Sequence, residues 1–233
     1  MLSLADVIPL HLADVTFPDF HPLSGQGGQI FGFAIRHPDG VFLFDTGAGS
    51  DSEGINAAYQ LKRYGLADRL QANGIEREAV QVVANSHLHF DHCGENRLFP
   101  GISIYVQARE HRAAQTQGYT VARWVDFPGA AYHLIEAGQE FTPGLALVPT
   151  YGHTPGHQSL TLETDEGLVV LAGQAIYSRR EYEHLSANRE LLQDDPPPDP
   201  EAYLASALQL IDLRPRRVYF SHDNLVWEPR SSV

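Results

Sequence analysis

Two stretches of the chain repeat one pattern of apolar and polar positions. "QIFGFAIRHPDGVFLFDTGA", from Gln29, and "QSLTLETDEGLVVLAGQA", from Gln158, each open on an alternating apolar run. Each then passes an Asp/Glu-Gly turn, at Gly40 or Gly167, and continues as an unbroken apolar run. Alternation followed by a tight turn predicts a β-hairpin, and the unbroken run predicts a second strand buried on both faces. Helix-like sequence follows each hairpin, "GINAAYQLKRYGLADRLQANG" in one half and "DPEAYLASALQLIDLRP" in the other. The latter starts with Asp-Pro, an N-cap and first-turn proline, and stops before Pro215. Each half then ends on a short apolar strand running into Ser-His, "VQVVANSH" at His87 and "RVYFSH" at His222.

The chain therefore reads as two β-β-α-β halves of one α/β domain spanning residues 1–233. The economical way to bury their faces is a four-layer αββα sandwich, with two sheets packed together and helices outside. Corresponding strand ends then meet along one shared sheet edge, which brings His87 and His222 together. Between the halves, "ISIYVQ", "AYHLIEA" and "LALVPT" predict strands and "AREHRAAQTQ" a helix. The proline-rich "QDDPPPDP" (193–200) predicts a surface connection inside the second half.

Composition narrows the class. Hydrophobic residues make up 43% of the 233 and charged residues 19%, a globular balance. "MLSLADVIPL" has no basic lead, and its apolar stretch is too short for a signal peptide or a membrane span. The single cysteine, Cys93, rules out an intramolecular disulfide, and a cytoplasmic, reducing location is expected. The formal charge is −13, with basic residues scattered, which argues against nucleic acid as a partner.

The densest chemistry lies in "SHLHFDHCGE" (86–95), where His87, His89, Asp91 and His92 fall within six positions of a chain with 12 histidines. In an extended strand end, His87 and His89 point the same way. Asp91 and His92 follow the turn and present further donors. Imidazole nitrogens with a carboxylate oxygen suit zinc or a similar divalent ion. A second cluster, "YGHTPGHQS", holds His153 and His157 in a Gly- and Pro-stiffened turn after a strand. His157 reads as a structural histidine of that turn, and Cys93 as a small buried residue.

Together, "SHLHFDHCGE", "GHTPGHQS", the earlier "FDTG" and the late "SHD" resemble the metallo-β-lactamase superfamily. "HPDGVFLFDTG", "FTPGLALVPTYGHTPGHQSL" and "LAGQAIYS" are similar to its N-acyl-homoserine lactonase-like branch. The resemblance implies a metal-dependent hydrolase that opens a lactone or related ester carrying an apolar part. It implies two divalent ions, one on His87, His89 and His153 and the other on Asp91, His92 and His222, with hydroxide between them as nucleophile. Asp91 would shuttle a proton to the leaving alkoxide, and Tyr177 would hydrogen-bond the substrate carbonyl. The family's bridging aspartate is replaced by Gln174, a neutral donor without the charge that holds two cations close, so a weak second site is expected.

Alternatives stay open on sequence. With only the His87, His89 and His153 site filled, the protein would be a mono-metal thioester hydrolase or an iron-dependent thiol or persulfide oxygenase. A non-enzymatic member would bind a small metabolite. Asp45 of "FDTG" reads equally as a carboxylate orienting a ligand histidine or as a turn residue. The loop "FPDFHPLSGQGG" (17–28) suits a rim over an apolar substrate, and aromatics of "GYTVARWVDFPG" an opposite wall.

Overall fold

A computed structural model describes residues 2–21, 23–192 and 197–229. Both expected hairpins form. In the first half, β1 (Val7–Thr16), β2 (Gly27–His37), β3 (Gly40–Phe44), β4 (Lys62–Arg63), β5 (Val80–Ala84), β6 (Ser103–Gln107) and β7 (Ala131–Ile135) build one sheet, in the order β4-β1-β2-β3-β5-β6-β7. The second sheet contains β8 (Gln139–Thr142), β9 (Leu145–Pro149), β10 (Gln158–Thr164), β11 (Gly167–Leu171) and β12 (Arg217–Tyr219), in the order β12-β11-β10-β9-β8. The repeat read from the sequence is a repeat of topology. β2 and β3 pair antiparallel, and β3 then pairs parallel with β5. In the second half, β10 and β11 pair antiparallel, and β11 pairs parallel with β12.

Three apolar clusters stack these layers. Phe33, Ile35 and Phe44 of the first sheet meet Leu147, Leu160, Leu162 and Leu171 of the second. On the outer face of the first sheet, Leu43 and Val83 pack with Leu66 and Leu70 of α2 (Leu66–Ala72). Beyond the second sheet, Val170 and Val218 pack with Leu185 of α6 (Arg179–Asn188) and Leu210 of α7 (Pro200–Asp212). The result is the four-layer αββα sandwich. Asp199 caps α7 as expected, its side chain accepting from Ala202 N–H at 3.1 Å ahead of Pro200.

Three local expectations change. The single helix predicted over 54–74 is two, α1 (Glu53–Ala58) and α2, because Lys62 and Arg63 pair with Asp14 and Ala13 as an edge strand. Gln60 and Gly65 at positive φ, 45° and 69°, make the two breaks. Residues 7–16, to which no element was assigned, form the long strand β1 against β2. Strand β8 and helix α6 were not predicted either. Residues 193–196 of the proline-rich connection lie outside the described residues. No helix among the described residues is long and apolar enough to cross a membrane.

Candidate metal centre

Strands β5 and β12, each the parallel partner of a hairpin, end three residues before His87 and His222 respectively. Beyond β5 the chain turns into α3 (Phe90–Cys93), with His89 at its N-cap, while His153 follows β9. These segments converge on one edge of the sandwich, where the rings of His87 and His92 lie 4.0 Å apart and those of His92 and His222 5.4 Å.

Two donor groups result: His87, His89 and His153, then Asp91, His92 and His222, the donor atoms of each lying within 4.8 Å of one another. His87 Nε2 is 3.1 Å from His89 Nδ1. His92 Nε2 and His222 Nε2 stand 3.5 and 3.6 Å from Asp91 Oδ2. These are the two groups that the family resemblance implies. The donor sets fit divalent cations on an observation independent of spacing: the Nε2 atoms of His92, His153 and His222 and Oε1 of Gln174 are buried without a hydrogen-bond partner. A buried polar atom left so is costly unless something occupies it.

The opposite ring nitrogens are held. His222 Nδ1 donates to Gln29 C=O at 2.8 Å, and His87 Nδ1 lies 3.0 Å from Ser86 Oγ. His92 Nδ1 meets Asp45 Oδ2 at 2.8 Å, and Asp45 also accepts Ser86 N–H and Oγ–H at 2.7 Å each. Asp45 therefore orients the His92 ring, from a left-handed backbone with φ 63°.

Electrostatics separate the groups. Burial, and then the neighbouring histidines, hold His87 and His153 well below the ordinary imidazole pKa, so both present lone pairs. Burial opposes charge on His92 as well, but Asp91 and Asp45 outweigh it and push its pKa up to about 10. Burial likewise opposes ionisation of Asp91, yet His92, His222 and His89 hold its carboxyl below the usual carboxylate range. A cation binding at the second group would displace the His92 proton.

Above the donors lies a cavity of about 220 Å³, lined by His89, Asp91, His153, His222, Gln174 and Tyr177, with Phe17, His21 and Tyr59 of the rim. The Tyr177 ring stacks on His222 at 4.8 Å. A second cavity of about 520 Å³ shares His21, His153, Gln174 and Tyr177 and adds Leu23, Leu192, Pro198 and Tyr203. The loop at 17–28 is thus the rim expected. Of the aromatics expected on the opposite wall, Trp124 of α5 (Ala122–Val125) and Phe127 are instead buried in the body of the fold, with the indole N–H on Asp51, while the Tyr119 ring lies 4.9 Å from that of His89.

His157 lies outside both groups. Its Nδ1 donates to Thr150 C=O at 3.0 Å and its Nε2 accepts Gln174 N–H at 2.9 Å, which uses both nitrogens. Cys93 is buried beside α3, where burial pushes its thiol pKa up. Sequence reasoning missed Glu110, a fully buried carboxylate behind the first group.

Residues 25–222 match the family model of the metallo-beta-lactamase superfamily. An N-acyl homoserine lactonase of Bacillus thuringiensis is 31% identical over 210 residues, 82% of this chain and 80% of that protein. Another, from Bacillus cereus, is 32% identical over 164 residues, and the match covers 65% of this chain and 65% of that relative, just under two thirds of its length. Among solved structures, a variant of the B. thuringiensis lactonase AiiA with N-decanoyl-L-homoserine bound at its active site aligns with a TM-score of 0.78. The identity is 26%, over 96% of this chain and 94% of that one.

Proposed function

The chain belongs to the metallo-beta-lactamase superfamily, and from that membership we propose that it opens N-acyl-homoserine lactones or closely related esters by metal-dependent hydrolysis. One observation carries the reading: two three-residue donor groups floor a cavity that also holds Tyr177 and adjoins a larger one. The similarity to lactonases supports it.

In this reading His87, His89 and His153 hold one cation and Asp91, His92 and His222 the other, zinc suiting an imidazole-rich set with one carboxylate. Bound there, divalent ions would polarise the substrate carbonyl and lower the pKa of water. The protein supplies the rest. Tyr177 donates a hydrogen bond to the carbonyl oxygen as charge builds there. Asp91, kept ionised, takes the proton of the attacking water and returns it to the ring oxygen as the C–O bond breaks, leaving a hydroxy acid. Leu23, Leu192 and Pro198 of the outer cavity receive the apolar acyl part. Both halves contribute ligands, so we treat residues 1–233 as one domain, and its lone buried cysteine suits the cytosol.

Gln174 favours a second reading, in which only the first group is filled and one ion serves a thioester or an oxygenase reaction. A proton-release assay over lactones, esters, thioesters and β-lactams with the metal-replete protein separates the two. Lactones, long-chain acyl-homoserine lactones among them, are expected to turn over fastest. No turnover of any lactone, with good turnover of a thioester, would overturn the reading.

A further inference from the structure

Outside the ligand sets, the most fully engaged buried acid is Glu110 on α4 (Ala108–Ala114), at 0% exposure. Its Oε1 accepts Leu88 N–H at 2.9 Å and the Tyr119 hydroxyl. Its Oε2 accepts the Thr154 hydroxyl at 2.7 Å and Gly156 N–H at 3.1 Å. All four donors are neutral. One carboxylate oxygen therefore grips the segment between His87 and His89, and the other grips the turn just after His153. The Tyr119 ring it holds lies 4.9 Å from the ring of His89. Gly156 shows how close the contact is: a Cβ there would come within 2.4 Å of Glu110 Cβ and N, so any side chain would lift the turn from α4.

Asp45 makes a corresponding arrangement on His92 of the second group, and through Ser86 it also reaches His87 of the first. The two groups differ in charge, however. Asp91 gives the second its own anionic ligand, whereas the first has three imidazoles, and Gln174 adds no charge. A carboxylate buried without a counter-ion keeps its field in low-dielectric surroundings, and the negative field of Glu110 reaches His89.

We propose that Glu110 is the positioning residue of the first cation site: it fixes the spacing of His89 and His153 by clamping their segments to α4, and it provides the negative charge behind three neutral ligands. The proposal rests on the metal-site part of the reading above and is independent of the substrate.

The test is cobalt(II) titration, followed by visible absorption, of the chelator-treated full-length protein in two backgrounds. His222→Ala leaves the first group intact, and His153→Ala leaves the second. Glu110→Gln, nearly isosteric but uncharged, is expected to weaken cobalt binding tenfold or more in His222→Ala and to change it less than twofold in His153→Ala. Tyr119→Phe, which removes one donor and keeps the carboxylate, should cost the first site less than threefold. Equal losses in both backgrounds, or none in His222→Ala, would overturn the proposal, since a general structural role would affect both sites together. If Glu110→Gln does not fold by circular dichroism, Thr154→Val, which removes one clamp contact and keeps the carboxylate, is expected to weaken cobalt binding severalfold in His222→Ala and to leave it unchanged in His153→Ala, and equal effects on both sites refute the proposal. A parent protein that binds no cobalt overturns the ligand assignment, and this proposal with it. Activity does not enter the readout, so failure on lactones alone leaves the proposal standing.

Discussion

Replacing His157 separates a structural histidine from a ligand, and the structure sets the scale of the effect. The ring is fully buried and satisfies two backbone groups, Thr150 C=O and Gln174 N–H. Glutamine can replace one of these bonds but not both, so His157→Gln leaves one buried group unpaired, at about 1–3 kcal/mol. His157→Ala loses both bonds and opens a cavity, for a total of about 4–8 kcal/mol. Urea unfolding should therefore rank the parent above Gln and Gln above Ala, while the folded Gln variant keeps the metal content of the parent. His153→Ala should do the reverse, losing metal for a smaller loss of stability. The pH dependence gives a second check. Burial, and then the neighbouring His92, hold His157 down to about 3 in the folded chain, against 6.5 for an ordinary imidazole. Between those values the unfolded chain binds the extra proton, so this contribution is complete above pH 6.5 and is lost as the pH falls toward 3. His87, His153 and His222 act with the same sign, so the diagnostic is the difference between proteins. The metal-free parent should lose up to about 1.4 kcal/mol more per pH unit than His157→Gln across that window. Parallel curves, or a Gln variant that sheds an ion at unchanged stability, would refute the assignment.

Two further substitutions probe the centre. Metal titration of the chelated parent should show two separated steps, and Gln174→Asp should draw them together by roughly tenfold or more in relative affinity, because a carboxylate offsets repulsion between close cations; two tight, indistinguishable sites in the parent would count against this. Tyr177→Phe should lower lactone turnover by about 100-fold with metal content unchanged, the usual scale for one donor to a developing oxyanion; equal turnover would remove Tyr177 from the chemistry.

The two hairpins were legible because their signals are local. Alternation, an Asp/Glu-Gly turn and an apolar run all fall within twenty residues, and the turn glycines at 40 and 167 take φ of 122° and 124°. β1 carries no such signature. Pro9, His11 and Asp14 interrupt its apolar positions, and it is a strand because β2 offers eleven residues of partner backbone. Pro9 is tolerated because the far side of β1 is paired only at Ala13 and Asp14. The break between α1 and α2 has the same origin, since Lys62 and Arg63 answer to a partner nearly fifty residues away. Local propensity does not contain that partner.

The same distinction divides the site. His87, His89, Asp91 and His92 are concentrated by chain proximity, His222 follows a strand that the repeat predicts, and His153 lies in the Gly- and Pro-stiffened turn after a strand expected between the halves, so the donors can be read in one dimension. What holds the donors cannot. "AREHRAA" has the composition of a solvated helix, and nothing in it marks Glu110 as the one acid of α4 turned inward; four donors from three other segments make that burial tolerable. Asp45, read equally as a turn residue, takes its role from Ser86 and His92, some forty residues on. Buried carboxylates in this centre thus stand behind the donor groups, at Asp45 and Glu110, while Gln174 brings no charge at the position for which the sequence resemblance implies an aspartate. Coulomb energy falls only as the inverse of distance inside a protein. Charge placed behind each group therefore still favours a cation there, but it links the two cations less directly than a carboxylate touching both. Glu110 touches only segments of the first group, whereas Asp45 touches His92 directly and His87 only through Ser86, so a substitution of Glu110 should be felt at the first site before the second.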